Sequence, residues 1–98
     1  MKRMELIANR SVEAELIGTL EGEVADFYYT LLPNVHGRGK AAYRMGTATW
    51  PEENFLLISY LDEREADRVK ALVREVKTRF PGEGIKLFFV EAEEQLIG

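Results

Sequence analysis

Cysteine is missing from this chain of 98 residues, and histidine and tryptophan each occur once. Without cysteine there is no disulfide, no zinc-thiolate site and no thiol nucleophile, so stability must come from packing or from association. Long apolar runs are missing too. None approaches the roughly 18 residues of a membrane span, so no membrane insertion is expected. The basic start Met1-Lys2-Arg3 leads into an apolar stretch that stops at Ala8, before Arg10, too short for a signal-peptide core. A cytoplasmic protein is the expectation. Nor is there an excess of base: 13 Lys and Arg against 17 Asp and Glu give a net charge of -4. A phosphate backbone would meet net repulsion, and no nucleic-acid partner is expected. Paired carboxylates in a candidate cleft and a Gly-x-Ser-x-Gly elbow are both absent, and Ser11 and Ser59 have no evident base. The length suits one domain, 1–98, burying about two-thirds of its unfolded surface.

The most informative absence is local. From Phe27 to Trp50 there is no acidic residue, and the stretch holds the sole histidine, His36, with Gly37, Gly39 and Gly46 and the cations Arg38, Lys40 and Arg44. It carries +3, leaving -7 for the rest of the chain. Such segregation raises self-repulsion unless an anion or an acidic partner relieves it.

Around this stretch the pattern alternates between strand and helix. Met4, Leu6 and Ala8 read as a first strand with both faces at least partly covered. Ser11 is placed to cap a first helix, with Glu13 and Glu15 at its positive end, Val12, Leu16 and Leu20 on one face and Gly22 as a left-handed stop. Phe27 through Leu32, ended by Pro33, reads as a second strand near the sheet centre. Phe55 through Tyr60 is apolar on both faces, as a central strand should be. Asp62 and Glu65 form an acidic variant of the capping box. Ala66, Val69, Val73, Val76 and Phe80 then make a continuous stripe on a second helix, broken by Pro81-Gly82. Ile85, Leu87 and Phe89 alternate with Lys86, Phe88 and Val90 in a last strand.

The order strand, helix, strand, strand, helix, strand, in two similar halves, predicts an α+β, ferredoxin-like βαββαβ domain. Its four-stranded antiparallel sheet has two helices on one face and a long loop, 33–54, between strands two and three. The other face has no helix to cover it. Ile7, Tyr28, Leu57 and Phe88 supply apolar side chains for it, which predicts a homo-oligomer.

His36, Gly37, Arg38, Gly39, Lys40 and Arg44 are the candidate ligand-binding residues. Gly37 and Gly39 let backbone amides approach an anion, while Arg38, Lys40 and Arg44 supply charge. A surface loop whose cations pair with acids of the same or a neighbouring subunit is the alternative. The loop's length favours binding. His36 lacks nearby partners for a metal, so it serves as a turn residue, as a general base, or as a ligand shared across a symmetry axis. Trp50 reads as a loop anchor and Tyr43 is open to anchoring or stacking.

The layout and the ordered motif Gly37-Arg38, Lys40, Tyr43-Arg44 and Gly46 resemble the P-II signal-transduction proteins, trimeric sensors with a long loop between strands two and three. Members carry Gly-Arg, a lysine and Tyr-Arg-Gly there. Gly82-Glu83-Gly84-Ile85-Lys86-Leu87-Phe88-Phe89-Val90 is likewise similar to that family's approach to its last strand. The resemblance implies a cytoplasmic regulator rather than an enzyme: a trimer that binds a small anionic ligand, an adenine nucleotide among the candidates, and presents its loop to a partner protein. Two departures stand out. The family's second loop tyrosine has no counterpart after Gly46, and the glycine-rich turn is shortened to Phe80-Pro81-Gly82-Glu83-Gly84. The CutA divalent-cation-tolerance proteins, which are metal-binding trimers, are the nearest competing resemblance. A small ferredoxin-like enzyme using His36 or Tyr43 as acid or base is the competing function.

Overall fold

The computed structural model describes residues 1–37 and 53–97. Strands β1 (Lys2–Asn9), β2 (Thr30–Val35), β3 (Asn54–Leu61) and β4 (Ile85–Glu91) form one antiparallel sheet in the order β2-β3-β1-β4. Helices α1 (Glu13–Glu23) and α2 (Glu63–Arg79) cover one face of it. The layout is ferredoxin-like, as the pattern predicts.

The period of two along each strand decides what is buried. Met4, Leu6 and Ala8 of β1 and Phe55, Leu57 and Leu61 of β3 turn toward the helices, where they meet Val12, Leu16, Leu20, Val69, Val73 and Val76. Ile85, Leu87 and Phe89 close the core from β4. Leu57 therefore belongs to the core and not to the open face. It sits opposite Leu6 in the β1–β3 register, and the alternation hands the open face to its neighbours Leu56 and Ile58. Ser59 is the one polar side chain buried among the described residues, and its hydroxyl donates to the Tyr28 carbonyl at 2.6 Å.

Three expectations about the first half are corrected. The first helix is entered through a 3-10 turn, Arg10–Val12, capped by Asn9, whose Oδ1 accepts from the Ser11 amide at 2.9 Å. Ser11 is thus capped rather than capping. Gly22 lies inside α1, and the left-handed residue beyond the helix is Asp26, with φ 54°. Asx residues tolerate that region better than most, which is why a glycine was not required. The second strand is Thr30–Val35 at the edge of the sheet, not Phe27–Leu32 at its centre. Pro33 lies within it, at an irregularity between Leu32 and Val35 where Asn34 adopts φ 56°. A proline fits an edge strand at a bulge because no ladder hydrogen bond is needed from its nitrogen.

The second half follows the sequence closely. The Glu65 amide donates to Asp62 Oδ1 at 2.7 Å and the Asp62 amide donates to Glu65 Oε1 at 2.9 Å, so both arms of the capping box are made. Asp62→Ala removes one arm and is expected to lower stability by about 1 kcal/mol. Arg64→Ala, on the exposed first turn, should stay within about 0.5 kcal/mol of the parent. Urea unfolding of the two variants checks this, and equal losses would deny the box any contribution.

The sheet face away from the helices carries three rows. Leu32, Leu56 and Ile7 align across β2, β3 and β1; Ile58 and Phe88 flank Glu5; Tyr60 and Val90 flank Arg3. Phe88 and Val90 are about half exposed, at 50% and 51%. Arg3 Nε donates to Glu5 Oε2 at 2.9 Å, so the polar centre of the face is satisfied within β1. On the helix side, at the start of β1, Lys2 pairs with Glu91, and their hydrogen bond holds the lysine above and the glutamate below its ordinary pKa.

Candidate ligand site at the base of the long loop

Antiparallel pairing brings the two ends of the long connection together. Val35 near the end of β2 sits opposite Asn54 at the start of β3, and Asn54 sits opposite Asn9 at the end of β1. His36 and Gly37 leave β2 at this point and are exposed.

Three connections then converge at one end of the sheet. The Arg10 amide donates to the Glu53 carbonyl at 2.9 Å, and the Arg10 guanidinium donates to the Glu53 carboxylate at 2.6 Å. That hydrogen bond, reinforced by the carboxylate charge, raises the arginine further above its usual pKa. The Asn9 amide donates to the Gly84 carbonyl at 3.0 Å, tying the start of the first helical turn to the connection before β4. That connection is itself held by Lys77, whose ammonium donates to the carbonyls of Pro81 at 3.0 Å and Glu83 at 2.5 Å. A Cβ added at Gly37 or Gly84 would meet nothing within 4 Å. Among the described residues, packing demands neither glycine.

Of the six candidate residues, His36 and Gly37 are placed at the mouth of this convergence. Arg38, Gly39, Lys40 and Arg44 lie outside the described residues, as do Tyr43 and Trp50. Sequence reasoning missed Asn9, Arg10, Glu53 and Lys77 as parts of the site's frame. Arg10 reads in sequence only as the charge that ends an apolar stretch, and Lys77 is not singled out at all. The partners of Asn9 and Arg10, Gly84 and Glu53, are far away along the chain. Among the described residues, no three His, Asp or Glu side chains gather closely enough to hold a metal ion. Among the same residues, no helix is long and apolar enough to cross a membrane.

The whole layout superposes on solved structures. CPII, a nitrogen regulatory PII-like protein from Thiomonas intermedia K12 bound to ADP, AMP and bicarbonate, matches with a TM-score of 0.65 at 15% identity, over 97% of this chain and 94% of that one. This chain has the fold of the PII-like proteins. A putative PII-like signaling protein from Thermus thermophilus matches with a TM-score of 0.60 at 23% identity, over 91% and 83% of the two chains. The PII-like layout also matches the de novo designed protein Foldit4, with a TM-score of 0.55 at 12% identity over 95% and 100%. Layout by itself therefore carries no function, and the residues at the loop base must supply the argument. No family model matches the chain, and no curated protein matches it significantly.

Proposed function

We propose that this chain is a divergent PII-like regulatory protein of the cytoplasm, a homotrimer that binds a small anionic ligand at the base of its long loop and presents the loop to a partner protein. It signals by occupancy and does not turn its ligand over. The observation that carries this reading is that two stretches distant in sequence emerge at one end of the sheet. Gly37, where the loop motif begins, follows β2, and the turn Gly82-Glu83-Gly84 precedes β4, with Asn9 bonded to Gly84 and Arg10 to Glu53 between them. Both are the stretches that resemble the P-II proteins.

The chemistry suits an anion. Arg38, Lys40 and Arg44 offer fixed positive charge without an acid in their own segment, and glycines at 37 and 39 leave amides approachable. CPII, similar in fold, is bound to ADP, AMP and bicarbonate, all of them anions. A nucleotide phosphate or a bicarbonate is the group that these residues address. The open sheet face, with Ile7, Leu56, Ile58 and Phe88, supports association.

Titration calorimetry with ADP, AMP and bicarbonate tests the site. Arg38→Ala is expected to weaken binding of the best of these about tenfold or more and to flatten its salt dependence. The melting temperature of the unliganded protein should not change. A ligand present at a hundred times its Kd should stabilise the parent by about 2.7 kcal/mol. Unchanged affinity together with altered sedimentation of Arg38→Ala would assign the residue to assembly and end the ligand reading.

A further inference from the structure

A groove of about 300 Å³ runs between α2 and β4, starting at Lys77 and Ile85 and extending to Lys70 and Phe89. Its floor is apolar, made by Val73, Ile85, Leu87 and Phe89. Its rim is basic, made by Lys70, Arg74 and Lys77, one helical turn apart from each other along α2. Lys70 lies over the Phe89 ring at 5.2 Å and reaches Asp67 at 3.6 Å, and no acidic side chain lines the groove itself. Beside it runs the outer edge of β4, which pairs with no strand among the described residues.

The complementary surface is on the same chain. After β4 the tail reads Ala92-Glu93-Glu94-Gln95-Leu96-Ile97, acidic first and then apolar. Leu96 and Ile97 are 92% and 94% exposed, the most exposed large apolar side chains among the described residues. Singly exposed apolar residues are ordinary, but an adjacent pair behind two carboxylates has the pattern of a docking strand. We propose that the tail of one copy docks in the α2–β4 groove of a second copy, added as a strand to the free edge of β4 with Glu93, Gln95 and Ile97 on the groove side, Glu93 toward the basic rim and Ile97 on the apolar floor.

The tail cannot easily serve its own groove. The Ala92 amide donates to the Met1 carbonyl at 3.0 Å, so the chain is still held in line there. A reversal would have to be made by Glu93-Glu94-Gln95, which has no Gly, Pro, Asn or Asp to form a tight turn. It would also consume both carboxylates. Extended forward, residues 93–97 reach roughly 17–18 Å at about 3.3–3.6 Å per residue, enough to lie along a neighbour's strand. Tail and groove are different patches, so the contact is head-to-tail and can close into a ring. The inference does not depend on the ligand reading.

The lack of native cysteine makes the test direct. A Gln95→Cys copy and a differently tagged Arg74→Cys copy are mixed and mildly oxidised. The expected result is a mixed disulfide at least fivefold above that formed by Gln95→Cys with a Glu21→Cys control on α1. Adding Glu93→Lys to the tail should lower the yield at least threefold, and Lys70→Glu in the groove should restore part of it. A yield no higher than the control overturns the proposal. So does a chain carrying both cysteines that forms only its internal disulfide, since that would put the tail in its own groove.

Discussion

Leu6→Ala is expected to remove about 2–5 kcal/mol of stability, the range for a buried leucine whose cavity cannot fully collapse. Leu6 is fully buried on β1, an inner strand, opposite Leu57 on β3 and Leu87 on β4. Both flanking residues are fixed by ladder hydrogen bonds, so the strands cannot close the void. Domains of this kind are stable by about 5–15 kcal/mol, so the variant should unfold at a much lower denaturant concentration. Lys86→Ala, opposite Ile7 on the other sheet face, removes an exposed side chain and should change little. Guanidinium unfolding of the two variants decides the matter. Equal losses would mean that the core lies on the wrong side of the sheet.

Ile58→Asp is expected to dissociate the oligomer while leaving the fold intact. Ile58 lies on the open face between Thr30 and Glu5, half-buried even in a single copy. In an assembly that covers this face, the new carboxylate would lose water without gaining a partner, and it would sit next to Glu5. Removing a central contact of an interface commonly weakens it by about 2 kcal/mol or more, a factor of about 30 in Kd. Sedimentation at low micromolar concentration, with circular dichroism to monitor the fold, reads the result. A parent protein that is already monomeric, or a variant that sediments like the parent, would remove the assembly from the proposed function.

Legibility in the sequence followed the range of the interactions. The α2 stripe and its capping box depend on residues three and four apart, and both are present as read. β1, β3 and β4 alternate with period two, and their burial follows that alternation. β2 was displaced because Phe27 and Tyr29 are apolar and aromatic like a strand, yet they pack on the core ahead of the ladder, with their rings 5.3 Å apart. Pro33 marked the end of that strand only on the assumption that it was central. At an edge the same residue is tolerated. The candidate site divides in the same way. Its loop motif is a local string in the sequence, of which only His36 and Gly37, where the chain leaves β2, fall among the described residues. The frame around them joins Arg10 to Glu53 and Asn9 to Gly84, pairs that only the strand order brings together.

The Arg3–Glu5 pair has a bearing on how the protein should respond to salt. Both charges come from one strand and neutralise each other at the middle of the open face. A second copy covering that face meets a surface that is already electrically balanced there. It need not contribute an ion of its own, and attraction across the middle of such a contact is apolar. Screening by added salt would then leave the association through this face largely intact, while the binding of an anion to Arg38, Lys40 and Arg44 would fall as ionic strength rises. Ionic strength becomes a means of emptying the proposed ligand site without opening a contact made through this face.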